Sequence, residues 1–141
     1  MDWEQRLAVV GCRITAPRRA VMQVMVQANV PLSPQEIQEQ AREMHRDLGL
    51  VTVYRTLNLL AGLNLVRRAH REDGRQDGYL LVSPGHHHVV ICQTCGGATE
   101  FPGEDDMRAL IRRVETGTGF QVNDHLLQLF GLCPECRGTE I

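Results

Sequence analysis

A chain of 141 residues with 43% apolar but only 4% aromatic content makes one domain or two small ones, and two small cores would need a structural metal or dimerisation. The net charge of −2 is unevenly spread: residues 1–82 hold 11 arginines against 9 acids and residues 83–141 hold 4 against 8, so the first part suits an anionic partner. The acidic start Met1-Asp2-Trp3-Glu4 lacks the apolar core of a signal peptide and no apolar run reaches membrane-span length, which argues against exported and membrane classes and predicts a reducing cytoplasm.

Asp2 is a candidate cap for a first helix with Trp3, Leu7 and Val10 on one face and Gly11 at its end. Thr15-Ala-Pro17-Arg18 opens a second helix whose apolar stripe is Val21, Val24, Met25 and Ala28. Ser33-Pro34-Gln35-Glu36 is a capping box, and the helix it starts carries Ile37, Ala41 and Met44. A break at Asp47-Leu48-Gly49 precedes a fourth helix over residues 52–61, stopped by Gly62. Two β-prone runs, 65–71 and 78–82, flank a polar turn. Helices followed by a hairpin are the order of a winged helix-turn-helix, here residues 1–82 of an α+β chain. Ser83-Pro84-Gly85 is a natural hinge. Residues 86–141 read as a small α/β domain: a strand over 86–92, a short strand over 99–101, a helix over about 104–115, and two strands flanking Asn123-Asp124.

On the fourth helix Val53, Leu57, Leu60 and Ala61 recur at helical spacing and face the core, leaving Tyr54, Arg55 and Asn58 outside. Arginine can bond guanine bidentately, tyrosine can pack on a thymine methyl, and Thr52 suits a helix cap or a phosphate contact. The plainer alternative is a solvated helix face, since helix-turn-helix folds also serve as protein-interaction modules.

Cys92-Gln-Thr-Cys95 and Cys133-Pro-Glu-Cys136 are two matched knuckles separated by 37 residues. Each can place two thiolates on one ion, and together they complete a tetrahedral all-sulfur shell suited to structural Zn2+. The competing readings are disulfides or cysteines that only fill a core. On a strand, His86 and His88 share a face with Cys92, while His87 points the other way with Val89 and Ile91. Cys12 is more simply a small buried residue, and His45 suits a helix C-terminus.

Gly11-Cys-Arg-Ile-Thr15-Ala-Pro-Arg18, Thr52-Val-Tyr-Arg-Thr-Leu57, His86-His-His88, Cys92-x-x-Cys-Gly96 and Gly131-Leu-Cys-Pro-Glu-Cys136 together resemble the Fur family of metal-dependent transcriptional regulators, over essentially the whole chain. The resemblance implies a homodimer with an N-terminal winged helix and a C-terminal dimerisation domain. It also implies metal-controlled binding to palindromic double-stranded DNA operators, usually as a repressor. Tyr54 and Arg55 would read the major groove, Arg13 would enter the minor groove and Arg18 would lie near phosphates. The four cysteines match the family's structural zinc. The positions of His86, His88 and His125 match a metal site on the dimerisation domain, suited to a second Zn2+ or to Fe2+. Its usual acidic fourth ligand is replaced by Arg108, with Asp105 or Asp106 as substitutes one turn earlier.

The family's hinge sensing site falls on Pro31, Leu80, His87 and Val89, of which only His87 can ligate. A rebuilt site could join His70 to His87; otherwise His70 is a plain surface residue. The sequence therefore leaves open a metal-responsive repressor of metal-homeostasis or stress genes, and a zinc-stabilised regulator that binds DNA constitutively or answers another signal such as peroxide. A zinc hydrolase lacks an evident general base other than Asp124.

Overall fold

The computed structural model describes residues 3–72, 74–83, 85–103 and 107–138, and the chain forms two compact units, Met1–Pro84 and Gly85–Ile141. Expectations that fall on Asp2, Pro84, Asp105 and Asp106 lie outside the described residues.

The first unit runs α1 (Trp3–Val9), α2 (Ala16–Gln27), α3 (Pro34–Ala41), α4 (Leu50–Gly62), β1 (Val66–Ala69) and β2 (Gly78–Leu81). Local chemistry sets the helix starts. The Thr15 side chain accepts from the Arg18 amide, with Pro17 in the first turn of α2. Ser33 and Glu36 form the reciprocal capping box of α3, amide to side chain at 3.2 and 3.0 Å. β1 and β2 pair antiparallel, and a bridge from Leu32 to Tyr79 ties the segment before α3 to the hairpin. A Cβ on Gly78 would meet Pro31 Cβ at 2.6 Å, so glycine there allows that close approach. Leu7, Val21, Met22, Met25, Ile37, Leu48, Val53, Leu57 and Leu60 fill the core between the helices and the hairpin. Helices followed by a paired wing make this a winged helix-turn-helix.

Several sequence expectations shift here. Val10 lies beyond α1 and is exposed, and α3 ends at Ala41, leaving Met44 exposed. The fourth helix begins at Leu50 with Gly49 as its cap, so Thr52 is inside the first turn and not the cap. Ala61 is exposed, and Thr56 takes the inward place, its hydroxyl satisfied by the Thr52 carbonyl at 2.8 Å.

The second unit runs β3 (His87–Cys92), β4 (Ala98–Pro102), α5 (Arg108–Thr118), β5 (Gln128–Gly131) and α6 (Pro134–Arg137). β3 is central: it pairs antiparallel with β4 and parallel with β5. A parallel partner requires a long crossover, which α5 and the segment after it supply. Gly119, in the left-handed conformation at φ 76°, caps α5. Only one of the two strands expected around Asn123-Asp124 forms among the described residues: residues 119–127 are irregular, and β5 begins at Gln128. His125 therefore precedes a strand instead of starting one.

Candidate metal centres and nucleic-acid face

The tight turn after β3 presents Cys92 and Cys95, and the start of α6 presents Cys133 and Cys136. The β3–β5 pairing brings these ends together, so the four sulfurs lie within 4.8 Å of one another. No disulfide is formed: all five cysteines are free, and the Cys95 and Cys133 sulfurs stand 3.9 Å apart. Zinc–sulfur bonds of about 2.3 Å in a tetrahedron put sulfurs about 3.8 Å apart, so this spacing fits zinc and not a covalent bond.

Backbone amides are aimed at the sulfurs. Cys92 Sγ accepts from the amides of Thr94 (3.4 Å), Cys95 (3.5 Å) and Cys133 (3.4 Å). Gly97 donates to Cys95 and Cys136 donates to Cys133, each at 3.4 Å. The Cys133 amide, followed by that of Cys95, holds the Cys92 thiol down to about 6. The Cys133 sulfur, followed by that of Cys92, pushes Cys136 up to about 12. Like charges at such spacing resist joint ionisation, and a divalent cation at their centre reverses that resistance.

A second cluster lies toward the other end of β3. The ring nitrogens of His86, His88 and His125 lie within 4.8 Å of one another. His86 Nε2 is 3.3 Å from His88 Nε2 and 3.1 Å from His125 Nε2. Three imidazoles on one zinc, with bonds of about 2.0–2.1 Å, would have nitrogens about 3.3–3.4 Å apart. His88 is 3% exposed and packs on Phe101, whereas His86 is exposed, so the cluster opens to solvent on one side. This donor set can bind a divalent transition ion and leave a position open. Arg108 begins α5 and offers no ligand atom. Nothing in the sequence marks Gly103, which meets the His88 ring; a lone glycine after a strand reads as loop punctuation.

The remaining candidates, His87 of β3 apart, lie on other elements or loops. His70 Nδ1 lies 3.3 Å from Asp77, which also meets Arg68 at 3.3 Å on the wing. His87 opens β3 in the second unit. Pro31 and Leu80 offer no ligating side chain; the Pro31 carbonyl instead accepts from Arg71. On α4, Tyr54, Arg55 and Asn58 are exposed and Thr52 is half-buried. The Arg13 side chain is exposed, while the Arg18 guanidinium donates to the Arg13 carbonyl at 2.7 Å. Arg18 therefore braces the backbone that carries Arg13. Cys12 packs partly buried against the first unit's core.

A family model described as "Ferric uptake regulator family" matches residues 9–130. The chain is 33% identical to a ferric uptake regulation protein of Legionella pneumophila over 97% of this chain and 100% of that protein. It is also 33% identical to a zinc uptake regulation protein of Mycobacterium tuberculosis, over 93% of this chain and 99% of that protein. The solved Vibrio cholerae ferric uptake regulator is 29% identical, covers 94% of this chain and is itself covered completely at 100%, with a TM-score of 0.60. A zinc uptake regulator complexed with zinc and DNA superposes with a TM-score of 0.76 over 96% of this chain and 90% of that one; at 24% identity this likeness speaks to the fold.

Proposed function

Because this chain belongs to the ferric uptake regulator family of metal-responsive DNA-binding transcription regulators, which are not enzymes, we propose that it is a dimeric repressor whose operator affinity is set by metal at His86, His88 and His125. The observation that carries this reading is the convergence of those three ring nitrogens within 4.8 Å of one another, with His86 3.3 Å from His88 and 3.1 Å from His125. Cys92, Cys95, Cys133 and Cys136 hold a structural Zn2+ that closes the second unit, and the histidines take a second Zn2+ or Fe2+.

Residues 1–82 are the DNA-binding part, 83–85 the hinge and 86–141 the dimerising part. Tyr54 and Arg55 read base edges in the major groove, with Asn58 beside them. Thr52 and Arg18 face phosphates and Arg13 reaches the minor groove. Leu110 and Val114 share one face of α5 and are exposed, as are Phe120 (73%), Leu126 (81%) and Leu129. Such a surface suits cover by a second copy of the chain. A dimer would place two recognition helices on palindromic half-sites about one helical turn apart. No helix among the described residues is long and apolar enough to cross a membrane, and the proposed setting is the cytoplasm.

A second reading keeps DNA binding and the structural zinc but no metal sensing, the protein binding DNA constitutively or answering another signal such as peroxide. It is supported at the family's hinge positions, where Pro31 and Leu80 offer no ligating side chain and Asp77 lies 3.3 Å from His70. A duplex selected from a random pool by the zinc-loaded protein decides between the two. Under the first reading, a mild chelator removes one zinc per chain and weakens binding to that duplex, and His86→Ala reproduces the loss. Operator affinity unchanged by chelator and by His86→Ala would leave constitutive binding as the function.

A further inference from the structure

Between β4 and α5 the chain passes the histidine cluster with no side chain at Gly103. A Cβ built there would lie 2.0 Å from His88 Cδ2, 2.3 Å from His88 Nε2 and 3.1 Å from His88 Cγ. Gly103 is not among the positive-φ glycines, so its backbone conformation does not itself demand glycine. The three nearest atoms a larger residue would meet all belong to the His88 imidazole. Gly103 is buried, and its amide donates to the His86 carbonyl at 3.3 Å. One histidine of the cluster thus holds the Gly103 backbone while the ring of another fills the space its side chain would take.

We propose that Gly103 is the positioning residue of the three-histidine site: the side chain it lacks is the space in which His88 turns Nε2 toward His86 and His125. This rests on the reading of those histidines as a metal site. A methyl group at 103 can be relieved in two ways. Moving the backbone would strain the Gly103–His86 hydrogen bond and the pairing of Pro102 with His87 next to it. Turning the His88 ring disturbs neither. The nearest atoms all belong to that one side chain, so the ring moves, its nitrogen leaves the cluster, and the fold is kept. His88 is 3% exposed and already lies against Phe101, 5.6 Å between centroids, which leaves it little room for a second rotamer that still reaches the ion. Gly103 therefore determines whether this end of β3 has three donors or two.

The test is a competitive zinc titration against a chromophoric chelator on the full-length wild type, Gly103→Ala, His88→Ala and the double variant, with the chelator-resistant zinc counted in each. Gly103→Ala should weaken the exchangeable zinc by at least about 10–100-fold, the range for losing a group that orients a metal ligand. The double variant should match His88→Ala, because without the ring there is nothing for the methyl to strike. All four should keep the cysteine-held zinc and the same far-ultraviolet circular dichroism. Gly103→Ala binding exchangeable zinc like the wild type would overturn the proposal. So would a double variant much weaker than His88→Ala, or loss of the cysteine-held zinc in Gly103→Ala, since the methyl would then be striking the fold. A wild type without exchangeable zinc would instead refute the metal-site reading beneath it.

Discussion

Replacing Arg71 by alanine should loosen the wing from the helix it braces. Arg71 is an arginine with a side chain only 10% exposed, and its guanidinium meets Glu36 at 2.8 Å. It also donates to the carbonyls of Gln76 at 2.6 Å and Pro31 at 3.3 Å. Hydrogen bonds to charged groups contribute about 1.5–3 kcal/mol each, and breaking a buried pair costs about 3–5 kcal/mol. Glu36 is 35% exposed, so water re-solvates much of the abandoned carboxylate and the lower figures apply. The expected loss is about 2–3 kcal/mol, or a midpoint about 10–20 °C lower for a unit of this size. The chain has a single tryptophan, Trp3, packed against the core of the first unit. Its fluorescence during urea unfolding therefore follows this unit without interference from the other. Arg71→Lys, with a point charge in place of a fork, should recover less than half of the loss. A destabilisation under about 0.5 kcal/mol would refute the claim that the wing is pinned from this residue.

Further predictions follow from the same geometry. The amide and hydroxyl of Ser33 and the guanidinium of Arg71 outweigh burial at Glu36 and hold its carboxyl below 4.5. A depressed folded value means stability that is present above the unfolded value and lost as pH falls through the folded one, so acid unfolding followed by Trp3 below pH 4.5 should be less steep in Glu36→Gln. Arg55→Ala should weaken operator binding by ~1–3 kcal/mol with little change on random duplex, and an equal loss on both would make Arg55 a phosphate contact. Cys136→Ser should abolish the chelator-resistant zinc and shift the chain to monomer in sedimentation, and a zinc-loaded dimer would remove Cys136 from the ligand set.

The two knuckles were legible because their signal is local: two residues between cysteines, twice. Strand alternation put His86 and His88 on one face, although β3 begins at His87; their reading as a metal site with His125 came from the family resemblance, and His125 joins them from an irregular segment that no periodicity describes. The outward face of α4 was readable at Tyr54, Arg55 and Asn58. The inward one failed at Ala61, which lies in the last turn of the helix, and Thr56, satisfied by its own helix, is buried instead. Arg71 gave no sign of burial, since its partner Glu36 lies on another element, and a charged residue beside a polar turn looks solvated. Gly103 was silent because its role is a shape, set by a ring 15 positions earlier in the chain.

The two sulfur pairs also impose an order in time. Cys95 and Cys133 are 38 residues apart, and a ribosome working at about 5–20 residues per second needs roughly 2–8 s to make that stretch. During that interval Cys92 and Cys95 offer an ion only half a shell, while the first unit, which ends at Pro84, already has every residue of its own core. If the four cysteines hold the proposed zinc, the nascent chain would have the residues of its winged helix before it could keep the ion, and capture would wait for Cys133 and Cys136.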